Sequence, residues 1–299
     1  MIDQLILGTF EQCFKKYYYD ELVIGKLAHS EFKSGVNKGD EVDVIMPGTV
    51  AMFDFDGEGD LPDAEVVTNS TTKIRIDRGR AFHFELKEIQ RKQIENTKDA
   101  GQKVNLIKEY SMDAVKQFAA YVDQAYADLY TRAGHYVDNS GEAIELTETN
   151  VKDLLAYMQA EFKRGDKQGH TNWIDGQMTV IVPPEFQFFL GKREDYAYVE
   201  SGHRKQEKGF VGKLCGWDIM VSNNVKGVTE NGKTTYYPLF GIKGKTLAGG
   251  VSADLNTKSY MPEKNFNTRY KGYGLFGVGA PRADFLGSAK ISATMTIGQ

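Results

Sequence analysis

The chain has 299 residues, a length that admits one large domain or two small ones. Hydrophobic residues make up 41% of it and charged residues 26%, proportions that exclude a disordered chain. With 37 Lys+Arg against 41 Asp+Glu the formal charge is -4, and without a basic arm, sequence-specific nucleic-acid binding is not expected.

No apolar run approaches the roughly 18 residues of a membrane span. The opening MIDQLILGTF carries Asp3 and has no basic region ahead of a long apolar run, so a secretory signal is not expected either. Residues 1–38 mix short apolar runs with the aromatic cluster Tyr17, Tyr18 and Tyr19, and read as a detached arm that lies on something else. From Asp40, Val42, Val44 and Met46 alternate as in a strand. The alternation returns at Ile74 and Ile76, then Phe82 and Phe84, which reads as one second strand. The two strands make a projecting hairpin of about 45 residues, longer than a compact domain carries unaided.

The strongest periodic signal runs from about 100 to 134. Val104, Ile107, Val115, Phe118, Val122, Ala125, Leu129 and Ala133 form a stripe with a gap at Ser111, while Lys108, Glu109, Lys116, Asp123 and Asp128 fall off it. This predicts one long helix with Gly134 as its cap. Val151, Leu154, Leu155, Met158 and Phe162 predict a second helix, capped by Thr149 or Asn150 and stopped at Gly165. MTVIV, residues 178–182, reads as a buried strand, and Pro183 and Pro184 open a short helix after it. Residues 200–209 read as a loop, and strands dominate the rest, with Asn231-Gly232 marking a hairpin. The fold class is α+β with one long helix.

Candidate chemistry is sparse. Gly272, Gly274 and Gly277 in KGYGLFGVGAPRADF fit G-x-G-x-x-G, the spacing of a dinucleotide-binding loop and hence of an oxidoreductase. That loop needs a helix after it to meet a pyrophosphate, and the segment that follows has a proline and no amphipathic run. The glycines therefore read as an edge strand with close packing. Asp54, Asp56, Glu58, Asp60 and Glu65 match oxygen-ligand positions of a calcium loop, with Gly59 at its turn. Pro62 and strand-like flanks favour a solvated acidic loop, with a calcium site as the alternative. His29, His83, His135, His170 and His203 stand apart from one another and from cysteine, so no zinc site is expected. Cys13 and Cys215 read as free thiols of a reducing cytoplasm. No catalytic, cofactor-binding or metal residue is assigned.

The order of arm, hairpin, long helix, central α/β portion and late strands resembles that of tailed-bacteriophage major capsid proteins, the Hong Kong 97 fold. MTVIVPPEFQFFLGKRED, GFVGKLCGWDIMVSNNV and LFGIKGKTLAGGVS followed by TRYKGYGLFGVGAPRAD carry the likeness. The resemblance implies an N-terminal arm at 1–38, an extended loop at 39–85 and a peripheral domain with a spine helix at 86–165. It places an axial domain at 166–237 and return strands of the peripheral domain, with the C-terminal segment, at 238–299. It further implies a non-enzymatic coat protein of the virion, assembled in the host cytoplasm as hexamers and pentamers around double-stranded DNA. A scaffolding protein, a portal and a decoration protein are implied partners; no cofactor or membrane is. Encapsulin nanocompartment shells resemble the same fold and are the alternative, with an oxidoreductase using Gly272, Gly274 and Gly277 the distant one.

Overall fold

The computed structural model describes residues 2–33, 38–46, 66, 69–87, 92, 100–164, 176–191, 210–230, 232–252, 256–263 and 267–293. In chain order these form helix α1 (Ile2–Glu21), then strands β1 (Ala28–Lys33), β2 (Glu41–Met46), β3 (Ser70–Arg75) and β4 (Arg78–Leu86). The long helix α2 (Ala100–Ala127) is followed by β5 (His135–Val137), β6 (Ile144–Glu145), α3 (Asn150–Lys163), β7 (Met178–Val182) and α4 (Pro184–Gly191). Strands β8 (Phe210–Leu214), β9 (Trp217–Val221), β10 (Lys226–Glu230), β11 (Lys233–Tyr237), β12 (Leu239–Ile242) and β13 (Leu247–Ser252) come next. The last are β14 (Asn256–Tyr260), β15 (Thr268–Gly279), β16 (Gly287–Ala289) and β17 (Ile291–Ser292).

The apolar stripe of α2 behaves as its spacing predicts: Val115, Phe118, Val122 and Ala125 are buried. Ser111, the gap in the stripe, is buried with them. The α-helix stops at Ala127, short of Gly134, and Asp128–Arg132 tighten into a 3-10 turn, a common way for a helix to end. Its 28 residues extend about 42 Å.

Residues 2–21 are not detached. Phe10, Phe14 and Tyr18 recur every four residues along α1 and are buried, and the Phe14 ring meets Phe118 of α2 edge-on with centroids 5.3 Å apart. The exit of α1 is fixed by Asp123, which falls off the apolar stripe yet is buried. Its carboxylate accepts the Val23 and Gly25 amides at 2.9 Å each. The turn so held passes its own carbonyls onward: Lys26 accepts from the Gly244 amide and Leu27 from the Thr246 amide. That Gly244–Thr246 corner joins β12 to β13, which belong to different sheets.

Strands β5-β16-β12-β7-β9-β8 form a six-stranded mixed sheet. All five residues of β7 are buried, as expected of a strand covered on both faces. Val180 and Val182 face a core with Leu155, Met158, Phe162 and Trp217, whereas Ile181 joins the core of α1 and α2. Trp217 donates its indole N–H to the Leu155 carbonyl at 2.9 Å, which locks α3 to this sheet. The α3 stripe is buried throughout, but its start is held by Thr147, whose hydroxyl accepts the Asn150 amide, and not by Thr149. Asn231-Gly232 marks a hairpin as expected, with β10 and β11 paired antiparallel and Gly232 at φ +77°.

A second sheet has the order β1-β13-β15-β14, with β4 also paired to β15. The second strand expected from the sequence is broken at Ile76–Asp77 into β3, which pairs with β2, and β4, which joins β15. The hairpin β2–β3 also rests on its own chain, where Val42 and Ile74 are buried with Ile76 and Ala248. Strand β15 is no edge: β4 lies along one side of it and β14 and β13 along the other. Its glycines permit close approach, since a Cβ on Gly277 would run into the Arg75 carbonyl and one on Gly272 would lie 2.6 Å from the Phe82 ring.

Two substitutions separate packing from conformational freedom. Gly277→Ala is expected to destabilise by about 1–3 kcal/mol by forcing β15 from Arg75, whereas Gly8→Ala in α1, which meets nothing within 4 Å, should stabilise by about 0.5–1 kcal/mol. Denaturant unfolding of both variants checks this, and equal effects would contradict it. Asp123→Asn turns an amide toward backbone donors and should cost about 1–3 kcal/mol. Burial holds the Asp123 carboxyl above its ordinary value of 3.8 despite the backbone amides that pull it down. The folded chain thus binds this proton more readily than the unfolded chain. The resulting stability is complete below pH 3.8 and is lost as pH rises through the raised native value. The asparagine variant should lack this component, and parallel pH profiles for the two proteins would refute it.

Candidate assembly surface

Among the described residues, side chains that could act on a small molecule do not converge. Among the described residues no group of three His, Cys, Asp or Glu side chains is placed to hold a metal. His29 and His83 are exposed on β1 and β4, and His135 lies beside the Phe162 ring with its Nε2 3.0 Å from the Asp284 carbonyl. The calcium-loop match Asp54–Glu65 lies outside the described residues, as do His170, His203 and the expected loop at 200–209. Cys13 is buried in the α1–α2 core and Cys215 sits in the tight β8–β9 turn; both are free thiols.

Gly272, Gly274 and Gly277 all lie inside β15, where Gly272 is paired with both β4 and β14, Gly274 with β4 and Gly277 with β13, rather than arching over a ligand. The chain leaves β15 through a 3-10 turn at Ala283–Phe285, so no helix N-terminus follows to receive a phosphate. Spacing alone could not exclude the nucleotide loop, because it records neither strand pairing nor what comes next.

What the fold does present is apolar surface that its own core leaves uncovered. A groove of about 590 Å³ runs between α1, β4 and the outer side of α2. Phe10, Phe82 and Phe84 stack on its floor with ring centroids 5.0–6.2 Å apart. Tyr110 and Tyr121 rise from α2 at its rim, 45% and 38% exposed. They are eleven residues apart, three helical turns, so both project from one side of the helix. The Arg80 guanidinium lies 3.3 Å from the Tyr121 ring centroid, where a cation over a π face is attracted to it. Two tyrosines on the polar side of an amphipathic helix were visible in the sequence, but their junction with Arg80 depends on β4 leaving the hairpin.

Further apolar groups are open on other faces. Ile45 on the hairpin is 66% exposed, Met261 after β14 is 54% exposed, and Tyr136, Tyr157 and Tyr273 are about half exposed. No helix of the described residues is long and apolar enough to cross a membrane.

No protein-family model matches the sequence, and no curated protein matches it. Solved structures do match, over nearly the whole chain. The capsid of Ralstonia phage GP4 is 11% identical, with 95% of this chain and 92% of that one covered at a TM-score of 0.67. The capsid of Cyanophage P-SCSP1u is 13% identical, with 91% and 89% covered at a TM-score of 0.61. A virus-like particle from Pyrococcus furiosus is 12% identical, with 94% and 98% covered at a TM-score of 0.51. The chain thus has the α+β fold of phage capsid structures, the Hong Kong 97 type.

Proposed function

We propose that this chain is a major capsid protein that assembles with copies of itself into hexamers and pentamers, forming an icosahedral shell around the double-stranded DNA of a tailed phage. The observation that carries this reading is the extent of the likeness. Nine-tenths or more of the chain follows phage capsids whose sequences have diverged to 11–13% identity, so the whole architecture is shared and not one motif. The role is structural rather than catalytic, in keeping with open apolar surfaces and glycines used for strand packing.

In this reading residues 1–38 are the N-terminal arm, most of it helix α1, and 39–85 are the extended loop that reaches a neighbouring copy. Residues 86–165 carry the spine helix of the peripheral domain, 166–237 the axial domain around the capsomer centre, and 238–299 the returning strands and C-terminal segment. A scaffolding protein guides assembly in the host cytoplasm, a portal occupies one vertex, and a decoration protein binds the outside. DNA is contacted without sequence preference and is retained by enclosure, since a net charge of -4 gives the chain no overall attraction to phosphates.

A nanocompartment shell that encloses cargo protein is the second reading, favoured by the likeness to the Pyrococcus furiosus particle at a TM-score of 0.51 and disfavoured by the higher phage values of 0.61 and 0.67. The two differ in contents. Native mass measurement and negative-stain microscopy of the purified chain should show capsomers or closed shells, and particles from the native host should contain nuclease-protected DNA. A protein cargo in place of DNA would select the second reading, and a monomer or dimer at every concentration would refute both.

A further inference from the structure

The corner at which α2 ends carries two tyrosines held face to face. Tyr130, in the 3-10 turn after α2, and Tyr237, the last residue of β11, stack with ring centroids 4.2 Å apart and planes 29° from parallel. Aromatic pairs usually sit about 4.5–7 Å apart, so these two rings are in full contact. Strand register and an ion pair keep them there. Tyr237 stands opposite Lys226 of β10, and the Lys226 ammonium lies 2.8 Å from the carboxylate of Asp128, two residues before Tyr130. Both tyrosines are half-buried, so each stays partly open to a small reagent. Tyr18 and Tyr19 also touch, but their rings are 60° from parallel and Tyr18 is fully buried.

We propose that Tyr130 and Tyr237 are a site of oxidative coupling, which a peroxide acting through a one-electron haem oxidant joins into a dityrosine within one chain. Each phenol gives up one electron and its hydroxyl proton, leaving a phenoxyl radical with spin on the ring carbons next to the oxygen. Two such carbons in contact form the new C–C bond, and each passes its hydrogen to its own oxygen as the ring becomes aromatic again. Two hydrogens are lost in all. The peroxide takes up those two electrons and two protons and leaves as two waters. Burial, with Tyr130 and Glu230 nearby, holds the Tyr237 phenol above its ordinary value of 10.0, so it enters the reaction as the neutral O–H. The bond would tie the end of α2 to β11 and close a loop of about a hundred residues that includes α3 and β7, removing freedom from the unfolded chain.

Hydrogen peroxide with a haem peroxidase, added to the dilute purified chain, tests this. Dityrosine fluorescence should appear on a band that still migrates as a monomer under denaturing conditions, and peptide mapping should join the Tyr130 peptide to the Tyr237 peptide with the loss of two hydrogens. The melting temperature of the coupled chain should rise by roughly 10 °C. Tyr130→Phe and Tyr237→Phe keep the stacked ring but have no O–H to lose. Each should lower the monomeric dityrosine yield by about tenfold or more, because the coupling owes its rate to two reacting rings held in contact. Tyr136→Phe is the control: Tyr136 on β5 is 46% exposed, yet its loss should leave the yield unchanged. A wild-type chain that gives no monomeric dityrosine would overturn the proposal. So would a link that maps to Tyr136 or to another tyrosine, or phenylalanine variants that couple as well as the wild type. Coupling found only between chains would overturn it too.

Discussion

The arrangement depends on one buried carboxylate. Asp123 holds the backbone amides of Val23 and Gly25, and the turn it fixes holds the corner at Gly244–Thr246, from which β12 enters one sheet and β13 the other. A single side chain on α2 thereby sets where α1 ends, where β1 begins its parallel pairing with β13, and how two sheets meet. Thr246 tightens the same corner by accepting the Ile242 amide on its hydroxyl. Burying a charge is costly unless its hydrogen bonds are made, and here backbone donors that would otherwise be orphaned make them.

Patterns local to one element were legible. The α2 stripe, the fully apolar MTVIV, the proline-opened α4 and the Asn231-Gly232 turn were each readable because the burial they report follows the period of one element. What failed needed a partner elsewhere in the chain. Phe10, Phe14 and Tyr18 are spaced for a helix, but the adjacent Tyr17 and Tyr19 blurred the stripe until α2 showed which side is covered. Asp123 read as an ordinary polar residue because its partners are about a hundred positions away. The break at Ile76–Asp77 was hidden because β3 and β4 both alternate apolar and polar residues; only the competition of β2 and β15 for pairing separates them.

The candidate surface was legible to a similar degree. The exposed tyrosines of α2 and the acidic stretch 54–65 stand in the sequence, but the junction of Arg80 with Tyr121 exists only through the placement of β4 beside β15. Gly272, Gly274 and Gly277 show the reverse: a spacing with a known chemical meaning that strand pairing removes. On the proposed shell reading, a chain that packs against copies of itself needs a self-supporting core and open faces at once. In this chain the core closes around α2, Trp217 and the glycines of β15, and apolar or charged faces remain around the sheet and the α2 groove.

The central claim is that this fold serves as the repeating unit of a closed shell. The most direct measurement is a cryo-electron microscopy reconstruction of particles purified from cells expressing the chain. The account predicts icosahedral symmetry, with this fold repeated in clusters of five and six and α2 traceable in every copy. Particles whose wall is built of another protein, or this chain alone in solution with no repeating contact between copies, would contradict it.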